Sequence, residues 1–367
     1  MKKISLILVL TLCVSLLTGC AGTPVVYYTN CTCPAVDNVA NGEDAFPVAP
    51  VESETVVPVA EGALKTGLAI VAGIGDSKSA AADAEGEAKY DVTMAAVLVD
   101  DNGVIQDCII DGISASVKFD KAGAITSDIA APVQTKNELG ENYGMVKFAG
   151  AIAEWDAQAA ALASFAVGKT VEELKSGAID ETGYAPEGTD LATSATIYLG
   201  GYVGAIEKAV ANAKHLGAEA GHTLKLASVN AVDGSKNASA EEEGLAQLYS
   251  TVTALTMNGD VISSCYIDSV QGKVNFDTTG VITTDLTAPV QTKNELGDNY
   301  GMIAYAGAIA DWHTQAASFA SYITGKTAAE VKGIAVDETT KPTDTDLLTS
   351  VTIKIGGFQQ LIEKAAQ

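Results

Sequence analysis

The chain has 367 residues, with 22 basic and 46 acidic side chains and a formal net charge of −24. An acidic excess of that size excludes recognition of nucleic acid or of an anionic membrane face through a basic patch. The length suits two domains at about 100 to 200 residues each, large enough for each to bury a core of its own.

The N-terminus runs Lys2-Lys3, an apolar stretch from Ile4 to Leu17, then Leu17-Thr18-Gly19-Cys20, with small residues ahead of a cysteine. It resembles a bacterial lipoprotein signal. The resemblance implies that residues 1–19 are removed and that Cys20 carries a lipid holding the chain to the extracytoplasmic face of the cell membrane. The apolar stretch is shorter than the about 20 residues a membrane-spanning helix needs. An incidental Cys20 behind a secretory signal is the alternative.

Residues 20–63 are rich in Pro, Val, Glu and Gly and show little periodicity, which predicts a flexible tether on the lipid anchor. Cys31 and Cys33 fall inside it. One intervening residue gives a bridge between them poor geometry, and their role is left open. Cys108 and Cys265 sit in apolar, strand-like runs and read as small buried hydrophobes.

Beyond the tether the chain is duplicated. Ala131-Pro-Val-Gln-Thr-Lys-Asn-Glu-Leu-Gly140 recurs as Ala288 to Gly297, 157 positions later, and the match extends through Tyr143 and Tyr300, Trp155 and Trp312, and Gly168-Lys169-Thr170 and Gly325-Lys326-Thr327. The repeats occupy residues 64–213 and 221–367, with 214–220 as a short joint. Each opens with strand signals: Gly67 to Ile74, Tyr90 to Val99, an Asp101-Asn102-Gly103 turn, and Val104 to Ile110. The second copy gives Leu224 to Ala231, Leu248 to Met257 and Val261 to Ile267. A further hairpin is expected from Ser114–Phe119 and Ala124–Ile129. After Gly140 the spacing becomes helical, predicting a helix over Ala149–Val167 that stops at Gly168. Capping boxes at Thr170 and Thr327 predict a short helix after each. A last helix is expected over Asp190–Ala213 and Asp346–Ala366, although Gly356-Gly357 could instead divide a strand from a helix. Strands followed by helices make the fold α+β: two tandem copies of an antiparallel-sheet module with helices packed on it.

Catalytic constellations are absent from the pattern. The three histidines, His215, His222 and His313, are not shared between copies, and no metal-ligand spacing occurs. An enzyme is therefore not expected. Two polar groups are candidate ligand contacts. In the first, Lys136 would meet an anion, Asn137 a hydrogen-bonding edge and Tyr143 a planar ring, with Lys293, Asn294 and Tyr300 as the second copy. The other reading is a turn with solvated charges over core aromatics. In the second group, Thr193, Ser194, Thr349 and Ser350 fall in the first turn of the last helix, where free amides favour a phosphate. Capping by Asp190 and Asp346 is the competing account.

Lipid anchor, tether, strand pair with an Asp/Asn-Gly turn, and a Thr/Ser cluster opening a final helix that ends in Ile206-Glu207-Lys208-Ala209 or Ile362-Glu363-Lys364-Ala365 resemble the FMN-binding-domain surface lipoproteins of Gram-positive bacteria. In that family FMN is often esterified through its phosphate to a Thr of a Ser/Thr-Gly-Ala-Thr motif, and surface members carry electrons. Here Leu191-Ala192-Thr193-Ser194 and Leu347-Leu348-Thr349-Ser350 stand at that place, so the resemblance carries the cofactor-binding role to Thr193 and Thr349, beside Ser194 and Ser350. The functional expectation is an extracytoplasmic lipoprotein with duplicated ligand-binding modules for FMN or another small planar ligand. The alternative is a structural or adhesive surface protein that engages a protein partner multivalently.

Overall fold

The computed structural model describes residues 62–367. The expected signal peptide, Cys20, Cys31, Cys33 and nearly all of the tether lie outside the described residues. The first copy contains β1 (Ala63–Gly73), β2 (Gly86–Val99) and β3 (Ile105–Phe119). Helices α1 (Lys136–Leu139), α2 (Met145–Ala149), α3 (Trp155–Ala166), α4 (Val171–Ala178), α5 (Asp190–Ser194) and α6 (Gly200–Ala211) follow. The second copy has β4 (Lys214–Glu219), β5 (Thr223–Ala231), β6 (Gly244–Asn258) and β7 (Val261–Phe276). Its helices are α7 (Lys293–Leu296), α8 (Met302–Ala306), α9 (Trp312–Ile323), α10 (Ala328–Lys332), α11 (Thr345–Leu348) and α12 (Gly356–Ala365). The fold is α+β, with two antiparallel sheets ordered β3-β2-β1-β4 and β5-β6-β7.

The layers follow from the period of two along each strand. In β2, Ala88, Tyr90, Val92, Met94, Ala96 and Leu98 join a core shared with the second sheet, whereas Ala95, Val97 and Val99 pack under α3 and α6. In β6, Ala246, Leu248, Val252 and Ala254 enter the shared core, and Leu255 and Met257 face α9 and α12. The sheets therefore stack face to face, each covered outside by its own helices. At one end of the shared core Phe119 and Phe276 stack with centroids 4.0 Å apart and planes 2° from parallel. A Cβ on Gly86 would stand 2.2 Å from the Phe119 ring, and one on Gly244 2.2 Å from Phe276, so glycine at both positions makes room for the stack.

Several expectations change. Each copy buries a core of its own between sheet and helices, but the other faces of the two sheets bury each other in a third, shared core, and both copies belong to one compact unit. The predicted break before Ser114 does not occur, because β3 pairs with the unbroken β2 from Gly86↔Phe119 to Val99↔Ile105. Nor does Ala124–Ile129 form a strand. Its Ile125 N–H donates to Asn237 Oδ1 and Gly123 O accepts from Ala238 N–H, so the loop docks on the other copy. The reciprocal bonds run from Ile282 N–H to Ser79 and from Ala80 N–H to Gly280 O. The joint is a strand: β4 pairs with the start of β1, Thr66 opposite Lys214 and Ala63 opposite Glu219.

The predicted long helices are divided. The expected Ala149–Val167 helix is α3 alone, since Glu154 ahead of it accepts from the Met145 and Val146 amides at 2.7 and 3.1 Å and folds the chain back on α2. The last helix is split into α5 and α6, and into α11 and α12. A buried glutamine causes the split: Gln158 Oε1 accepts from the Thr196 and Ile197 amides at 2.8 and 3.2 Å, holding the connection extended. Gln315 does the same for Thr352 and Ile353. Both predicted capping boxes, Thr170 with Glu173 and Thr327 with Glu330, are formed.

Because the central core is shared, Phe119→Ala is expected to cost about 3–5 kcal/mol and to destabilise both halves equally. Urea unfolding followed through Trp155 alone and Trp312 alone, each in a single-tryptophan variant, should give coincident transitions. Two separated transitions would contradict a common core.

Candidate functional site

The recurrent string is built into the seam between the copies. Thr135 caps α1 and forms a capping box with Glu138, and Thr292 does so with Glu295 on α7. Asn137 fastens α1 to β3, its amide N–H donating to Asp111 Oδ1 at 3.1 Å and its Nδ2 to Ile110 O at 2.9 Å. Asn294 repeats this on Asp268 and Ile267, both at 3.0 Å. Each glutamate also reaches a lysine of the opposite copy. Glu295 pairs with Lys208 at 2.7 Å, and Glu138 pairs with Lys364. The two lysines donate further to the Ile70 and Ser228 carbonyls, so each ion pair ties α6 or α12 to a strand of its own sheet and to a helix of the other half.

The lysines of the string turn inward onto aromatic faces. Lys136 Nζ lies 5.3 Å from the Tyr143 ring centre and 4.9 Å from that of Trp155. Lys293, only 5% exposed, is within 4.8 Å of Tyr249, Tyr300 and Trp312 and donates to the Tyr249 hydroxyl at 2.9 Å. The difference is one residue on the neighbouring strand, Tyr249 in place of Asp91. Burial pushes the Tyr249 hydroxyl up, but the Lys293 charge and hydrogen bond outweigh it and hold it below its ordinary range.

The hydroxyl clusters lie elsewhere, at the C-terminal ends of the short helices α5 and α11 rather than in the first turn of the last helix as expected. Thr193 and Ser194 donate to Asp190 O at 2.7 and 3.3 Å, Thr349 to Asp346 O at 2.7 Å and Ser350 to Leu347 O at 3.4 Å. The caps fall on Thr189 and Asp344 rather than on Asp190 and Asp346. Among the described residues no hydrogen bond or ion pair joins these hydroxyls to Lys136, Asn137, Tyr143 or their second copies.

What the sequence pattern did not reveal is a cleft of about 1060 Å³ along the seam. One wall is β7, another is the outer face of α9, and the third is the end of α6 with β4. The second copy of the string closes one end through Thr292, Asn294 and Glu295. Asp268 lies in the β7 wall, where burial pushes its carboxyl up to about 6 against hydrogen bonds from Thr292, Asn294 and Ser269. Nearby, burial raises the Cys265 thiol to about 12. His215 and Lys65 both meet Asp101, at 3.0 and 2.8 Å, and Lys65 chiefly holds that carboxyl below its usual range. His313 Nδ1 is buried without a hydrogen-bond partner. Gln315 was equally unmarked by sequence reasoning, and Lys208 figured in it only as part of the run that ends the last helix. A glutamine at one shared position inside two apolar helices, and a Glu-Lys pair closing both copies, were the available signals.

Among the described residues no group of three or more His, Cys, Asp or Glu side chains is placed to hold a metal ion, and no helix is long and apolar enough to cross a membrane. No protein-family model, curated protein or solved structure matches the chain.

The buried Asp268 sets a pH dependence. Its folded pKa of about 6 exceeds the ordinary 3.8, so between those values the folded state keeps a proton that the unfolded state has lost. Its effect on stability is therefore most favourable below pH 4, declines as pH rises through the interval, and is fully unfavourable above pH 6. The span is roughly 3 kcal/mol. In urea unfolding from pH 4 to 7, the stability of the wild type relative to Asp268→Asn should fall by an amount of this order. A pH-independent difference would exclude the assignment.

Proposed function

We propose that the chain is an extracytoplasmic, lipid-anchored protein whose two repeats together build a small-ligand-binding unit with no hydrolytic chemistry of its own. The observation that carries this reading is the seam cleft, whose volume lies just above the about 300–1,000 Å³ range of small-molecule sites and whose walls mix apolar surface with many polar side chains. Anchoring is assigned to Cys20. Flavin is the first ligand to test because of the family resemblance, which puts covalent FMN at Thr193 or Thr349 and electron carriage on the bound ring.

Protein isolated from the membranes of its native host separates these statements. Cys20→Ser should shift the chain from the membrane fraction to the medium, and unchanged fractionation would remove the anchor. Covalent FMN would add its mass to the peptides bearing Thr193 or Thr349. Flavin held in the cleft would leave the peptide mass unaltered and appear free after denaturation. Colourless protein that also fails to bind added FMN would remove the flavin from the reading.

A second reading, multivalent engagement of a protein partner, is favoured by a duplicated apolar projection. Phe148 is 79% exposed and Tyr305, its counterpart, 90%, each near further exposed aliphatic residues, Val146 with Ile152 and Ile303 with Ile309. Two linked contacts gain avidity through effective concentration. Under this reading Phe148→Ser or Tyr305→Ser alone would weaken attachment to host-derived surface material by roughly 10²-fold. Equal attachment by the double variant would exclude it.

A further inference from the structure

The two copies differ where the cleft is. On α9 the buried face matches α3 closely: Trp312 for Trp155, Gln315 for Gln158, Ala316 for Ala159 and Ala320 for Ala163. The face toward the cleft does not match. Thr314 stands for Ala157, Ser318 for Ala161 and Thr324 for Val167, with Ser321 matching Ser164. On the β7 wall Tyr266 stands for Ile109, while Cys265, Ile267 and Asp268 repeat Cys108, Ile110 and Asp111. Each of these four differences puts a hydroxyl where the first copy has hydrocarbon. The Tyr266 ring still packs against the shared core, as Ile109 does, but the three helix-side hydroxyls do not serve the core, because α3 adopts the same helix over the same kind of sheet without them.

The hydroxyls form a row. Thr314, Ser318 and Ser321 lie at helical spacings of four and three along one side of α9, Thr324 follows as the residue that caps its C-terminus, and at 1.5 Å per residue the row is about 15 Å long. The Ser318 and Ser321 hydroxyls make no hydrogen bond among the described residues. Thr314 meets only its neighbour His313, at 3.3 Å, and Thr324 donates to Ala320 O at 3.1 Å, which leaves its oxygen free to accept. Across the cleft, Asn212 gives its Nδ2 to Leu68 O and keeps its carbonyl oxygen open. Of the charges inside, Lys208 is matched by Glu295 and Asp268 by its three hydrogen-bond donors, while Lys214 lies over the Tyr266 ring, 5.4 Å from its centre. Neutral groups that both donate and accept suit a ligand that is itself rich in hydroxyls. Leu216, Ile267 and Ala317 supply apolar surface for its carbon-bound faces.

We propose that the seam cleft binds a saccharide, its hydroxyls paired with the α9 row and Asn212. This rests on the cleft being a ligand site and is independent of any flavin at Thr193 or Thr349. The test uses the full mature chain and titration calorimetry with maltotriose, cellotriose and chitotriose, with FMN as the non-saccharide probe. Two variants accompany the wild type. The triple variant Thr314→Ala, Ser318→Ala, Thr324→Val restores residues the first copy already carries on the matching helix and its C-cap, and Ala317→Trp fills the cleft. At least one trisaccharide should bind the wild type, about tenfold or more weakly to the triple variant and not to Ala317→Trp, with the melting temperature of the triple variant unchanged. Failure of all three trisaccharides overturns the proposal, as does binding that the triple variant leaves intact. If FMN binds the wild type and is lost in Ala317→Trp while no trisaccharide binds, the cleft is a ligand site and only the saccharide assignment falls. If no probe is affected by Ala317→Trp, the reading of the cleft as a ligand site falls too.

Discussion

Burial of one sheet's face against the other is the constraint on which the rest of the structure depends. A sheet with helices on one face and water on the other would alternate apolar and polar residues along each strand. Here β2 cannot: Tyr90, Val92 and Met94 point into the shared core, and Ala95, Val97 and Val99 point at the helices. With both faces committed, the loops at the sheet ends have only the opposite copy to lie on. A Cβ on Gly123 would stand 2.6 Å from the Ala238 side chain and one on Gly280 2.6 Å from that of Ala80, so both glycines, at φ values of 71°, admit the neighbouring loop where it crosses. The reciprocal pattern of these contacts shows the copies related by an approximate two-fold arrangement rather than strung as independent beads.

That arrangement explains the identity of the ten-residue string. Thr135, Asn137 and Glu138 each satisfy backbone groups that burial of α1 on β3 would otherwise leave unpaired, and such groups cost roughly 1–3 kcal/mol each when orphaned. Glu138 then uses its second oxygen for Lys364, and Glu295 for Lys208. A residue that caps its own helix and bridges to the other copy has little freedom of type. The same geometry holds at both seams, so the same letters appear twice. Lysine is the part of the string whose setting changes: Tyr249 closes an aromatic enclosure around Lys293 that Asp91 leaves open around Lys136.

The duplication, the α+β class, the strand and helix order and the capping boxes at Thr170 and Thr327 were legible because they are local or periodic. The joining of the sheets was not. Apolar residues on both faces of β2 and β6 were visible, but such runs are equally consistent with helices on both sides, and nothing local says which surface covers a strand. For the same reason Asp111-Gly112 looked like the end of a strand, although continuous pairing with β2 carries β3 through it. Gln158, a polar residue in an apolar helix, was not singled out; its effect, splitting the last predicted helix, depends on Thr196, distant in sequence. The candidate site suffered most from this. Lys136 and Asn137 were recognised as special, yet the partners that engage them, Trp155, Asp111 and the β3 carbonyl, are supplied by the tertiary fold.

An internal repeat invites the inference that chemistry resides in what is repeated. The geometry here argues the opposite. Shared polar residues are already engaged: Thr135 and Thr292 in caps, Asn137 and Asn294 on strands, Glu138 and Glu295 across the seam, Gln158 and Gln315 on the extended connections. Groups with uncommitted hydrogen-bonding capacity are concentrated among the unshared ones, Ser318, Thr314, Tyr266 and His313, and these border a single cleft. β4 accounts for the imbalance. It runs from α6 onto β1 and walls one seam with Lys214, His215 and Leu216, residues that belong to neither repeat's common pattern. The repeated residues thus provide a nearly symmetric frame, and the differences between copies decide which side of it carries the cleft and its uncommitted polar groups.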